Sequence, residues 1–294
     1  MIRRRPRTTI RLVFLLALGG PRSSAPQIAP VRADEPALPA PSEWSKEKKL
    51  RALNTAVIGG VTAYGLLFWG YGEGDPRVVS EDWFGINTKH GGADKLGHVY
   101  TCYLGTMAFA ALCERWGFEP ADASRHGALS SMTAMTMMEV GDMFTQGGFS
   151  FEDLTMDAVG AALGYLRRTD PVLRSRLDFR AEYLPSKGFL DAGGDDFLTD
   201  YAGYKYLLAL RADGFENLSP RWLKYFELHA GYFTRGYEKY DLEEHTRRTR
   251  NIYLGVGINL SHLLEKQGRH TAASVLSYYQ LPHTYATSEK DLNY

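Results

Sequence analysis

Seven ionisable residues sit in otherwise apolar stretches of this chain, and they carry most of its chemical promise. They are Asp94, Lys95 and His98 in one stretch, Glu139 and Asp142 in a second, and Asp153 and Asp157 in a third. An unpaired charge is costly to bury, so such residues should face one another across packed helices. Asp94 and His98 are four apart and share a helix face, as do Asp153 and Asp157. Packing the three stretches together would bring His98, Glu139 and Asp157 into one polar centre. Three chemistries fit that set. Carboxylates paired with Lys95 and His98 would lock helix register. The spacing Asp94-x-x-x-His98, with oxygens from Glu139 and Asp157, would suit a metal ion. His98 with a carboxylate partner, Glu139 or Asp157, would serve as a catalytic acid–base pair. One histidine among scattered carboxylates is a thin catalytic signature, so the structural role leads.

The elements that must position these residues read as helices. Leu53 to Tyr71 is almost wholly apolar, reaches nearly across a hydrocarbon core, and ends in Phe68, Trp69 and Tyr71, like an interfacial anchor. After a Gly- and Asp-rich loop from Gly72 to Gly92 come helices over Lys95 to Trp116, Arg125 to Phe144 and Phe151 to Leu166. The second and third lack a broad polar face. The third carries Met132, Met135, Met137, Met138 and Met143, a stripe that suits adaptable core packing. Ser150 followed by Asp153 marks the start of the fourth as a variant capping box. Gly160 and Gly164 along that helix allow close approach of a neighbour. Cys102 and Cys113 lie eleven residues apart on one helix, beyond disulfide reach, and read as buried thiols.

The remainder sets the frame. Met1 to Ala33 has arginines at 3, 4, 5, 7 and 11 and the apolar run Leu12 to Leu18, the pattern of a signal peptide. Residues 34–50 read as a linker, 51–168 as the helical bundle and 169–294 as a C-terminal region. In that region Tyr204 to Leu210, Leu228 to Thr234 and Ile252 to Leu260 have strand character, the last by alternation of Ile252, Leu254, Val256 and Ile258 with smaller or polar residues. Trp222 to Phe226 reads as a helical turn and Thr271 to Tyr279 as a short helix. The expected fold is mainly α, a bundle of four apolar helices followed by a smaller α+β region with a few short strands. Lys+Arg 34 balance Asp+Glu 34, which gives no electrostatic footprint for nucleic acid. The 18 Tyr and 14 Phe suit a surface that meets lipid headgroups. Membrane lipid is therefore the expected partner; no cofactor and no protein partner is indicated.

The run Gly92-Ala93-Asp94-Lys95-Leu96-Gly97-His98, then Glu139, then Ser150-x-x-Asp153-x-x-x-Asp157-x-x-Gly160-x-x-x-Gly164, resembles the YfiM-type predicted periplasmic lipoprotein family over residues 92–166. The resemblance implies a cell-envelope location and carries no activity, because the family has none assigned. This chain departs from it in lacking a lipid-acceptor cysteine near the leader, so Leu53 to Tyr71 would have to supply the membrane contact. A more distant likeness to VanZ-like membrane proteins, with their Asp-Lys-x-x-His before a bundle, implies a lipid-embedded bundle. The expected function is a non-enzymatic structural or binding role in the envelope, membrane-associated and facing the periplasm. A membrane hydrolase or transferase acting on a lipid or glycan, and a metal-binding protein, are the alternatives.

Overall fold

The computed structural model describes residues 44–191, 197–237, 245 and 247–293. The expected signal peptide and most of the expected linker fall outside these residues. Helix α1 (Lys46–Tyr64) starts on Ser45, whose hydroxyl accepts from the Lys48 amide, and widens into a π-turn over Gly65–Trp69. Gly65 sits there because the Tyr71 ring lies where a side chain would be. Helices α2 (Ala93–Arg115), α3 (Pro120–Asp142) and α4 (Phe151–Thr169) pack against one another, and α1 packs chiefly on α3. Proline opens α3, where its missing amide is no loss. Asp170 receives the chain from α4 and caps the short helix Pro171–Arg176 through the amides of Val172 and Leu173.

The small residues of α4 set the closest approach. A Cβ on Gly160 would stand 2.3 Å from the Val99 carbonyl oxygen, and one on Gly164 2.7 Å from the Thr106 methyl. The backbones of α2 and α4 therefore touch, as the G-x-x-x-G spacing predicts. Two short strands pair in parallel beside this junction, β1 (Val78–Val79) and β2 (Phe149–Ser150). They tie the loop before α2 to the start of α4.

The C-terminal half carries one five-stranded antiparallel sheet in sequential order: β3 (Leu177–Tyr183), β4 (Tyr204–Arg211), β5 (Phe226–Arg235), β6 (Thr249–Ile258) and β7 (Tyr285–Asp291). Helices followed by an α+β region is thus the architecture. The strands are not a few short pieces, however: they run 7 to 10 residues and form one meander. The expectation missed β3 and β7. The alternate residues Asp178, Arg180 and Glu182 of β3 are charged, so it reads as part of a polar stretch, and Ser288, Glu289 and Lys290 leave β7 without the apolar alternation of a strand. The sheet is tightly curled. Lys205 on β4 reaches Glu289 on β7 at 3.5 Å, and the Tyr285 hydroxyl of β7 donates to Glu182 of β3 at 2.7 Å. In a flat sheet the strands of the first pair would be roughly 14 Å apart. Tyr279 forms a bridge to Ala181 on the free edge of β3, so chain from both ends of the sheet meets there.

Helices and sheet share a core. Val99 and Tyr103 of α2 pack with Phe179, Ala181 and Tyr206 of β3 and β4. Behind the sheet, Leu207, Ala209, Phe233 and Tyr253 form a second cluster. Among the described residues two helices are apolar enough to cross a membrane: α2, with 39% of its most apolar window buried, is the core element, while the stretch Lys46–Trp69 has only 6% buried.

Candidate functional site

The N-terminal turns of α2 and α4 and the C-terminal turn of α3 converge, and their charged side chains meet inside. His98 Nδ1 lies 3.1 Å from Asp157 Oδ1 and 3.9 Å from Glu139 Oε1; its Nε2 lies 3.7 Å from Asp153 Oδ1. Lys95 Nζ is held by Asp153 at 2.8 Å, Asp94 at 3.0 Å and Glu81 at 2.6 Å. Lys95, Glu139 and Asp157 are almost fully buried. Position follows from local structure. Gly92 turns the chain in a left-handed conformation with the Phe84 ring against it, so α2 begins just before Asp94 and Lys95. Ser150 caps α4 by accepting from the Asp153 amide, while its own amide donates to Glu139 Oε2 at 3.1 Å. One residue thus caps α4 and holds the Glu139 carboxylate. Asp142 stands at the end of α3 on the rim of the cluster and adds charge without a direct ion pair to His98 among the described contacts.

The electrostatics follow from burial and from which charges are near. Burial works against the charged form of His98, but the hydrogen bond to Asp157 and the charges of Asp153, Asp157 and Glu139 prevail and push its pKa up to about 9. Lys95 is likewise buried against its charge and is held above its ordinary value by Asp94 and Asp153. Glu139 is pushed up to about 8, chiefly by burial, with His98 opposing. Asp142 rises to about 6, again chiefly by burial. At neutral pH the cluster therefore holds a protonated imidazole.

All the residues singled out from the sequence gather here except the packing glycines, which bring α2 and α4 into contact beside it. Glu81 was missed. It lies in the loop before α2, where no periodicity marks it, yet it makes the shortest contact to Lys95. A second charged cluster was missed as well. On the inner face of the sheet, Arg180 binds Asp178 at 2.7 Å and Glu227 at 2.6 Å, and His229 Nε2 lies 2.9 Å from Glu227. Arg167 from α4 also reaches Asp178. The alternation of Asp178, Arg180 and Glu182 was the available signal. His229 belongs to this network, although its sequence position suggests nothing.

Metal coordination is open to few sets of atoms. Ligand atoms of His98, Glu139 and Asp153 fall within 4.8 Å of one another, as do those of Glu81, Asp94 and Asp153 and, near the surface, Asp213, His262 and Glu265. In the first two sets Lys95 Nζ stands 2.8 Å from Asp153 Oδ1, so an ion would meet a resident cation. The main grooves of the molecule are lined by other residues.

Fold and cluster together define an ion-locked helical core joined to a curled antiparallel sheet. Residues 80–169 match the family described as "Predicted periplasmic lipoprotein (DUF2279)", which bears out the resemblance read from Asp94 to Gly164. That stretch contains every residue of the cluster. The exported, periplasm-facing location expected from the leader agrees with the family's description. Neither a curated protein nor a solved structure matches the chain.

Proposed function

We propose that this is a non-enzymatic envelope protein, membrane-associated through α1, in which α2, α3 and α4 form a rigid apolar platform with α1 added on the side of α3. The ion cluster is the lock of that platform. The observation that carries the reading is the contrast between two equally apolar helices. Helix α2 packs against α3, α4 and the sheet and has 39% of its most apolar window buried, whereas α1 and its π-turn leave Leu66, Leu67 and Phe68 open, Leu67 at 76% exposure. Exposed apolar groups at the end of an apolar helix fit an interfacial anchor. The cluster supports a structural role because its charges are spent on one another: Lys95 has three carboxylates, and His98 lies between Asp157, Asp153 and Glu139.

The alternative, a hydrolase or transferase using His98 with Glu139 or Asp157, draws on the His98–Asp157 pair, which resembles a base with its orienting carboxylate. A base so oriented must offer Nε2 to substrate, and here Nε2 faces Asp153 at 3.7 Å.

Alkaline carbonate extraction of membranes from cells expressing the full chain tests the reading. The protein is expected in the pellet, and the triple substitution of Leu66, Leu67 and Phe68 by Ser is expected to release it. Release of the unaltered protein would overturn the role of α1, and retention of the triple variant would show that another surface holds the protein to the membrane. Loss of the cellular phenotype on His98→Gln with melting unchanged would favour the catalytic alternative.

A further inference from the structure

The sheet is more uniformly apolar on its outer face than on its inside. Its inner face mixes the buried ionisable residues Asp178, Arg180, Glu227 and His229 with Leu207, Ala209, Phe233 and Tyr253. Its outer face over β4, β5 and β6 carries Leu208, Leu210, Leu228, Leu254, Val256 and Ile258, all exposed, Leu254 at 69%. The register makes this one surface: Leu208 pairs with Ala230 and then Leu254, Leu210 with Leu228 and then Val256, and Phe226 with Ile258. An antiparallel sheet with one wet face ordinarily turns its apolar side chains to the core and its charges to water. An apolar outer face is the arrangement used by strands whose outer solvent is hydrocarbon.

The borders of the surface agree. At one end stand Trp222 and Tyr225 beside Phe226, all exposed. Aromatic side chains of this kind settle at the boundary between headgroup and hydrocarbon. At the other end Lys290 lies on the outer face, opposite Ile252. From Phe226 to Tyr232 the strand rises about 20 Å, of the order of one leaflet's depth plus its boundary. Two apolar grooves continue the surface sideways. One of about 700 Å³ runs between α4 and the sheet, past Val159 and Leu163. Another of about 530 Å³ runs beside Phe215 and Leu218.

We propose that the outer face of β4, β5 and β6 is a lipid-contacting surface, seated in the hydrocarbon of one membrane leaflet, with Trp222 and Tyr225 at one boundary and Lys290 at the other. It extends the membrane-associated reading above but rests on different residues, so the two can fail separately. The surface would give the protein a second membrane contact, and neither Cys102 nor Cys113, both buried, is open to acylation as a substitute.

The test uses the full chain with Leu254→Cys, labelled on that exposed thiol with an environment-sensitive dye. A companion protein carries the dye at Leu67→Cys on α1. Each is mixed with vesicles of phosphatidylethanolamine and phosphatidylglycerol, with and without nitroxide on the acyl chains. The proposal expects a blue shift at position 254 on adding vesicles and quenching there by the nitroxide. Quenching at 67 but not at 254 overturns it and leaves the α1 reading standing. Quenching at 254 but not at 67 supports it and removes α1 as the contact. No quenching at either position overturns both. A blue shift at 254 that rises with protein concentration in the absence of vesicles means that a second copy covers the face, and also overturns it. Leu228→Glu, at an exposed position, should keep the unaltered melting curve and lower vesicle binding at least tenfold; unchanged binding would count against the proposal.

Discussion

Replacing His98 by glutamine should make the stability of the protein less dependent on pH, and the structure gives the size of the effect. In the unfolded chain an imidazole titrates near 6.5; in the folded protein the pKa of His98 is pushed up to about 9. A histidine whose folded pKa is raised stabilises the fold fully below the lower value and loses that contribution as pH rises through the upper one. At about 1.4 kcal/mol per pKa unit, the contribution lost between pH 6.5 and 9 is about 3 kcal/mol. In a domain of this size that corresponds to a fall in melting temperature of roughly 6–12 °C. Glu139 acts in the same direction over a lower window. Its folded pKa is raised from 4.5 to about 8, so the folded state resists ionisation and stability falls as pH rises between those values. Glu139 remains in the variant but loses the His98 charge that opposes its rise, so the difference between the two proteins reads His98 together with its coupling to Glu139. Thermal unfolding followed by circular dichroism from pH 5 to pH 9.5 should show His98→Gln well below the unaltered protein at pH 6, where Asp157 has lost its cation. The two curves should converge as pH approaches 9. A constant gap across the range, or an unaltered protein whose melting temperature is flat from pH 6.5 to 9, would refute the assignment of a charged imidazole to the cluster.

Other substitutions probe the parts separately. Gly160→Val should destabilise by several kcal/mol, because even a Cβ would stand 2.3 Å from the Val99 carbonyl oxygen and the two helices must separate; chemical denaturation reads it, and a change below 1 kcal/mol would show that α2 and α4 are not in contact. Arg180→Ala should cost about 3–5 kcal/mol by leaving Glu227 buried with only His229 beside it and taking one of the cations of Asp178, and Arg180→Lys should recover only part of that loss because it cannot bridge both carboxylates as Arg180 does. Cys102 is pushed up to about 12 by burial and Cys113 is raised for the same reason, so neither should react with a water-soluble maleimide at pH 8 until denaturant is added.

How far the sequence discloses this molecule varies from element to element. The four helices are plain in it because long apolar runs have few other homes, and Ser150 with Asp153 marks the start of α4 to the residue. The convergence of His98 with Glu139 and Asp157 follows from charge economy: three stretches each carry a charge that needs a partner. Strand-like composition also places β4 and β5, and period-two alternation places β6. It does not give the sense of the alternation. Ile252, Leu254, Val256 and Ile258 read as the buried set of a half-buried strand, yet they point outward, and Tyr253 and Gly257 point in. Spacing reports which residues share a face, whereas what that face meets depends on the other strands and on the surrounding medium. The same ambiguity hid β3, whose charges Asp178, Arg180 and Glu182 read as solvated while they form the inside of the sheet. Glu81 escaped for a different reason. Its place beside Lys95 is fixed by the loop path through β1, which no local pattern encodes.

That loop path also determines how the molecule bears a load. Between α1 and Glu81 the chain is stitched to the end of α3 and the start of α4: the Gly74 amide to the Phe144 carbonyl, the Arg77 amide to Met143, and the Phe149 amide back to Arg77. A pull on α1, such as drag on an anchored helix, does not run out along a slack tether. It arrives first at these stitches, which share it among several bonds. Only after they part would tension reach Glu81 and loosen its grip on Lys95. Helix α1 and the core therefore behave as one mechanical body, and pulling the first away would begin to unlock the second.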